Sequence, residues 1–153
     1  MTKILFICHG NICRSPMAEF IMKDLVAKNG LEQDIYVESA ATSTEELGND
    51  MYPPAKSKLR EMGVPFARRA ARQVTPADYD RFDHIIVMDS FNVYNIRRII
   101  RTDPKKKIGK LLDFSPRRGA DIADPWFSGD FDTAYRDILE GCTGLLEDIK
   151  RRG

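Results

Sequence analysis

The sequence predicts an α/β fold, a single-domain three-layer sandwich with a central four-stranded parallel sheet and helices on both faces. Three observations point there. Short apolar runs alternate with stretches of helical periodicity, the pattern of βαβ units. No internal repeat, low-complexity tract or long linker interrupts that alternation. And 153 residues, 42 % of them hydrophobic, suit one domain with a sizeable core. Residues 1–153 are therefore expected to form a single domain.

The elements follow in order. The first strand is expected over Lys3–Ile7, where Ile4-Leu5-Phe6-Ile7 is an unbroken apolar run. The first helix is expected from about Ser15 to Asn29. It puts Ala18, Ile21, Met22 and Leu25 on one face, with Gly30 as its stop. The second strand is Ile35–Ser39. The next helix starts at Pro53-Pro54, buries Ala55, Leu59 and Met62, and stops at Gly63. A short helix follows Thr75-Pro76, with threonine as cap. The third strand is His84–Met88, and Ser90 caps a helix with Val93, Ile96 and Ile100 inward. The fourth strand is Lys110–Leu112. The last helix, about Phe131 to Arg151, carries the clearest stripe: Phe131, Ala134, Tyr135, Ile138, Cys142, Leu145, Leu146 and Ile149.

Chemistry concentrates where the first strand gives way to the first helix, at Cys8-His9-Gly10-Asn11-Ile12-Cys13-Arg14, followed by Ser15-Pro16. A thiol is mostly neutral at cell pH, but a helix N-terminus and a nearby guanidinium both favour its anion. A turn whose successive N–H groups point inward cradles anions. Gly10 permits a positive φ without steric cost, and Asn11 is among the few other residues that tolerate one. Arg14 adds a planar fork for two phosphate oxygens. A thiolate at the floor of such a cradle can attack phosphorus, giving a cysteinyl-phosphate that water then hydrolyses. A bare Cys-x5-Arg is common by chance; its place between strand and helix is what gives it weight. In open α/β sheets ligands bind beyond the carboxyl ends of the strands, where Cys8 and Ser39 both fall.

The loop resembles that of the low-molecular-weight protein tyrosine phosphatases, in their bacterial form. The resemblance extends through Met17-Ala18-Glu19, Glu38-Ser39-Ala40-Ala41-Thr42, Tyr52-Pro53-Pro54-Ala55, Ala71-Arg72-Gln73-Val74-Thr75, Val87-Met88-Asp89-Ser90-Phe91-Asn92 and Asp124-Pro125. It implies a phosphatase domain acting on phosphotyrosine or another aryl phosphate. Cys8 is then the nucleophile, Arg14 the phosphoryl ligand, and Asp124 the general acid that later activates water. The loop residues His9, Gly10, Asn11, Ile12, Cys13, Arg14 and Ser15 bind the phosphate. Asn11, Ser15 and Ser39 hold the loop by hydrogen bonds. No cofactor or metal is expected, since Arg14 and the loop amides neutralise the charge. Without the resemblance, Asp-Pro at 124 reads only as a turn starter.

Three positions depart from the family pattern. Trp126 and Phe127 stand where many members have tyrosines, and Trp126 keeps an aromatic pocket wall. Glu45 fills a slot on the pocket rim that is usually aromatic, and puts a negative charge near a dianionic substrate. Arg69 replaces a histidine that is structural in the family. The resemblance also bears on Cys13, which by itself reads equally as a small loop residue or as a redox brake. The family favours the brake, in which oxidised Cys8 is trapped as a Cys8–Cys13 disulfide.

Composition excludes several classes. A net charge of +1 creates no field toward nucleic acid or membrane. No apolar run approaches the ~20 residues of a membrane span. The N-terminus shows no signal-peptide cleavage pattern, so a cytoplasmic protein is expected. Three cysteines do not make a disulfide framework, and two histidines do not give a metal-site spacing. The basic runs read as solvated surface, apart from Arg117-Arg118, which could favour acidic phosphopeptides. The expected partners are phosphotyrosine-containing proteins, with a monomer as the default state. An arsenate reductase on the same scaffold needs a redox cysteine in the Arg68–Asp89 region, and this chain has none between Cys13 and Cys142. A phosphocarrier domain needs neither Arg14 nor Asp124 in these positions.

Overall fold

A computed structural model describes residues 1–153. Four strands, β1 (Thr2–Cys8), β2 (Ile35–Ala41), β3 (His84–Val87) and β4 (Ile108–Lys110), form one parallel sheet in the order β2-β1-β3-β4. Six helices surround it: α1 (Arg14–Lys28), α2 (Pro53–Glu61), α3 (Asp78–Arg81), α4 (Ser90–Ile96), α5 (Pro125–Ser128) and α6 (Phe131–Arg152). The three-layer α/β architecture is the one expected.

Side-chain alternation along β1 splits the core in two. Ile4, Phe6 and Cys8 pack with α1, α2 and α6, while Leu5 and Ile7 pack with Phe82, Ile96 and Ile100 on the opposite face. A strand covered on both sides is apolar at every position, which is why Ile4-Leu5-Phe6-Ile7 shows no period of two. The α6 stripe is buried from Ala134 onward, including Cys142, which has no solvent exposure, while Phe131 at its start is partly buried.

Several local expectations change. The fourth strand is Ile108–Lys110 rather than Lys110–Leu112; Leu111 and Leu112 lie in a 3-10 turn, Leu111–Phe114. Asp113 accepts from the Lys110 N–H and closes that turn. Short apolar runs do not distinguish a strand from a buried turn. The cap of α4 is Asp89, whose carboxylate accepts from the Asn92 N–H at 2.7 Å, and Ser90 is the first helical residue. Thr75 does not cap α3 with its side chain; the Asp78 carboxylate instead accepts from the Thr75 N–H. Met62 is exposed, because α2 ends before it at Glu61. The short helix α5 has no counterpart among the expected elements.

The strand order reverses direction at β1, whose neighbours are β2 and β3. Cys8 pairs with Ala41 and Ile7 with Val87. The carboxyl end of β1 thus opens into the crevice between two diverging connections, the usual ligand position in such sheets.

Candidate active site

Residues 9–13 connect β1 to α1. Asn11 adopts the left-handed conformation, with φ of 58°. Gly10 does not, so the conformational freedom expected at Gly10 is used by its neighbour. An asparagine can hold that conformation, and here its side chain fixes it. Asn11 is fully buried. Its Nδ2 donates to Ser15 Oγ at 2.8 Å and Ser39 Oγ at 2.9 Å. Its Oδ1 accepts from the Arg69 guanidinium and from the Arg72 N–H. Arg69, in the place of the family's histidine, therefore braces the loop from below.

Proton accounting gives this network a direction. Ser39 donates to Glu19 Oε1 at 2.6 Å and accepts from Asn11. Ser15 also accepts from Asn11, so its own proton is free for Cys8 Sγ, 3.0 Å away. The Ser15 N–H points at the same sulfur, at 3.4 Å. The sulfur therefore has the Ser15 hydroxyl and the Ser15 amide as donors within reach. In the sequence Glu19 stands only as the last residue of the Met17-Ala18-Glu19 stretch, with no role of its own. The available signal was a glutamate one helical turn beyond Ser15, the one charged residue in the run Pro16–Met22.

The backbone of the loop is equally directional. The carbonyls of Cys8, His9, Ile12 and Cys13 accept hydrogen bonds, from Thr42, Ser43, Tyr52 and Met17. The amides of His9, Gly10, Asn11, Ile12 and Cys13 donate to no acceptor in the protein. Consecutive unpaired N–H groups at a helix N-terminus form an anion cradle.

Arg14 reaches this site from the first turn of α1 with its side chain only 3 % exposed. Its Nη1 donates to Asp89 Oδ2 and to the Ile122 carbonyl, both at 2.7 Å, and its Nη2 reaches Asp124 Oδ2 at 3.4 Å. A guanidinium has five N–H donors. The two left over, on Nε and Nη2, share one edge of the planar group and form a fork. Burial disfavours the charge, but Cys8, Asp124 and Asp89 outweigh it and raise the Arg14 pKa. Asp89, which has no role in the sequence reading, is the residue that fixes Arg14. A buried arginine demands a carboxylate partner, and Asp89 follows β3 at the same rim.

Asp124 caps α5, accepting from the Trp126 N–H at 3.1 Å, with Pro125 buried behind it. It faces Cys8 across a cavity of about 260 Å³, whose other walls include His9, Glu45, Trp126 and Phe127. Trp126 leans on Tyr52, ring centroids 4.6 Å apart, and is half exposed. Glu45 takes the rim position expected of it, but its carboxylate is paired with His9 Nε2 at 3.0 Å. Ile12 and Cys13 also line this cavity. Burial, then the charge of Cys8, pushes the Cys13 thiol up, so it stays protonated. Arg117 does not serve the site: it is paired with Asp137 and Glu140 of α6. No group of three or more His, Cys, Asp or Glu side chains is arranged to hold a metal ion.

A cysteine at the floor of an amide cradle, with a buried arginine beside it, is the class of site that cysteine-dependent phosphate-monoester hydrolases use. Residues 3–153 match the family model of low molecular weight phosphotyrosine protein phosphatases. The chain is 40 % identical over 152 residues to the low molecular weight protein-tyrosine-phosphatase YfkJ of Bacillus subtilis, covering 99 % of this chain and 97 % of that one. It is 36 % identical over 149 residues to a human low molecular weight phosphotyrosine protein phosphatase, covering 94 % and 93 %. The crystal structure of YfkJ superposes with a TM-score of 0.95 at 39 % identity, covering 99 % of this chain and 96 % of that one. That of a low molecular weight protein tyrosine phosphatase from Streptococcus pyogenes gives 0.86 at 36 %, covering 97 % and 93 %. The chain belongs to the low molecular weight phosphotyrosine protein phosphatase family, and its enzyme class is protein-tyrosine-phosphatase.

Proposed function

We propose that the chain hydrolyses phosphotyrosine in protein substrates through a cysteinyl-phosphate on Cys8, without a metal ion. The unpaired amides of residues 9–13, set around a cysteine whose hydrogen-bond partners are the Ser15 hydroxyl and amide, carry this reading. The amides and the Arg14 fork take the equatorial phosphoryl oxygens, whose charge they stabilise in the transition state. Cys8 Sγ attacks phosphorus as the phosphorus–oxygen bond to tyrosine breaks. Asp124, in its protonated form, gives its proton to the departing phenolate. In the second step the Asp124 carboxylate takes a proton from water, which attacks the cysteinyl-phosphate and returns the thiolate. His9, Gly10 and Ile12 shape the loop, Asn11, Ser15 and Ser39 hold it, and Trp126 with the stem of Glu45 lines the passage for the substrate ring.

Cys13 fits the role of a resolving thiol. Oxidation of Cys8 to the neutral sulfenic acid removes the negative charge that helps keep Cys13 protonated. Its sulfur can then displace hydroxide, released as water, and form the disulfide. No helix is long and apolar enough to cross a membrane.

Hydrolysis of para-nitrophenyl phosphate in EDTA tests the mechanism. Wild type should turn over, Cys8→Ser should be inactive, and Asp124→Asn should lose about 10²- to 10⁴-fold in kcat. Activity surviving in Cys8→Ser overturns the reading. In the same assay after peroxide, thiol should restore wild type but not Cys13→Ser; equal recovery removes Cys13 from that role.

A further inference from the structure

The buried side-chain atoms that find no hydrogen-bond partner are His9 Nδ1, Thr42 Oγ1 and Asn92 Nδ2. Native interiors leave few such atoms without a reason. These are not scattered: all three belong to residues lining two grooves that adjoin the catalytic cavity. The first groove, of about 430 Å³, is lined by His9, Thr42, Ser43, Gln73, Asn95 and Arg98, among others. His9 is its common wall with the catalytic cavity. Asn92 lines the second, with Arg14 and Asp89.

Charge separates the first groove from its neighbour. The catalytic cavity carries Glu45, Glu46 and Asp124 on its walls. The adjoining groove carries no carboxylate, and Arg98 is its one permanent charge. Arg72 and Arg81 are matched by Glu38 and Asp78, and Arg117 by Asp137 and Glu140, whereas Arg98 belongs to the arginines without an ion pair and is the one of these that lines this groove. Arg98 is exposed just beyond α4 and has no carboxylate within ion-pair reach. Thr42 is 7 % exposed, so its idle hydroxyl is a group that solvent hardly reaches. The amide of Asn95 adds a further donor on the same lining.

We propose that this groove is a subsite for an acidic residue of the substrate peptide, flanking the phosphorylated residue held over Cys8. Arg98 is its counter-charge, and Thr42 and Asn95 supply neutral hydrogen bonds to the carboxylate or its adjacent peptide group. The acidic residue is steered away from Glu45 and Glu46 and into the one neighbouring groove of opposite sign. The cavity is large enough for a side chain with its stretch of backbone. Arg98 so acts on which peptide binds and not on bond breaking. The proposal rests on the phosphatase reading for its substrate, and its test is arranged to separate the two.

The experiment measures kcat/KM on phosphotyrosyl peptides carrying Glu or Gln at each of the flanking positions, for wild type and Arg98→Glu. Wild type should prefer one or more Glu peptides by about three- to tenfold, through KM. Arg98→Glu should abolish or reverse that preference and leave para-nitrophenyl phosphate turnover unchanged, since that substrate ends at the catalytic cavity. Equal rates on Glu and Gln peptides in wild type, or a preference that persists in Arg98→Glu, overturns the subsite. Anisotropy of the same labelled peptides on Cys8→Ser, with and without Arg98→Glu, reads the subsite without turnover. Binding that favours Glu and depends on Arg98 upholds it even if catalysis fails. Binding indifferent to Glu refutes it even if catalysis is strong.

Discussion

At the scale of single residues the site is held by groups that do not touch phosphate. Asn11 joins the loop to Ser15, Ser39, Arg69 and Arg72, and so decides where the Ser15 proton points. Asp89 does the equivalent for Arg14. Its carboxylate takes one Nη1 proton at 2.7 Å while the Ile122 carbonyl takes the other, which leaves Nε and the second Nη2 proton for a ligand. Asp89→Asn keeps the shape but removes the charge that anchors a buried guanidinium. A small displacement of that fork misplaces the phosphoryl group, so kcat/KM on para-nitrophenyl phosphate should fall about tenfold to hundredfold. The loss should appear chiefly in kcat, because the transition state leans hardest on the fork. An unchanged kcat would show that Arg14 needs no anchor.

At the scale of elements, α6 shows how glycine sets packing distance. Gly144 lies where a Cβ would sit 1.9 Å from the Phe114 carbonyl oxygen, and Gly141 where it would sit 2.4 Å from Leu111 Cγ. The 3-10 turn after β4 rests directly on the backbone of α6. Alanine ordinarily favours a helix over glycine by about 1 kcal/mol. Here the clash with a backbone carbonyl outweighs it, as overpacking costs about 1–3 kcal/mol or more. Gly144→Ala should therefore lower stability by about 2 kcal/mol, a fall of ~4–8 °C in thermal midpoint by calorimetry. A rise in midpoint would mean that the turn yields freely. The opening of α1 obeys a different rule. Arg14, Ser15 and Glu19 are buried polar residues there, each committed to the site through Asp89, Cys8 or Ser39.

For the whole molecule, the strand order places Cys8, Asp89 and Asp124 at one rim although they are far apart in the chain. Carboxylates held by cations and backbone N–H groups make the fold sensitive to acid. Burial raises the Asp50 pKa, but Lys56 and the N–H groups of Met51 and Arg69 outweigh it and bring it from 3.8 to about 2. Burial likewise raises the Asp78 pKa, but the hydrogen bonds from Arg72 and the Thr75 N–H outweigh it and bring it below the usual value. Carboxyls depressed in the folded state add stability above about pH 4, and lose it as pH falls toward their folded values. Burial lowers His84 below 6.5, so its proton also prefers the unfolded chain. Urea midpoints should thus be highest near neutrality, decline below pH 6.5 and fall most steeply between about pH 4 and 2. Asp50→Asn should flatten the lower step by on the order of 1–2 kcal/mol.

Sequence alone determined the order of the four strands and of every helix but α5, because an unbroken apolar run or an apolar stripe needs no partner to be seen. It also gave the strand–loop–helix setting of Cys8 and Arg14, since nucleophile and fork lie within one turn of chain. The stripe of α6 was legible for the same reason. The extent of β4 was not, as Leu111 and Leu112 are apolar whether they enter a strand or a buried turn. The tertiary structure alone decided what each polar group bonds to. Asp89 and Ile122 meet Arg14, Arg69 meets Asn11, and Glu45 meets His9, across separations that no local period encodes. It also removed Arg117 from the site and left Arg98 unmatched, because the sign of a surface is set by which charges neutralise one another after the chain has folded.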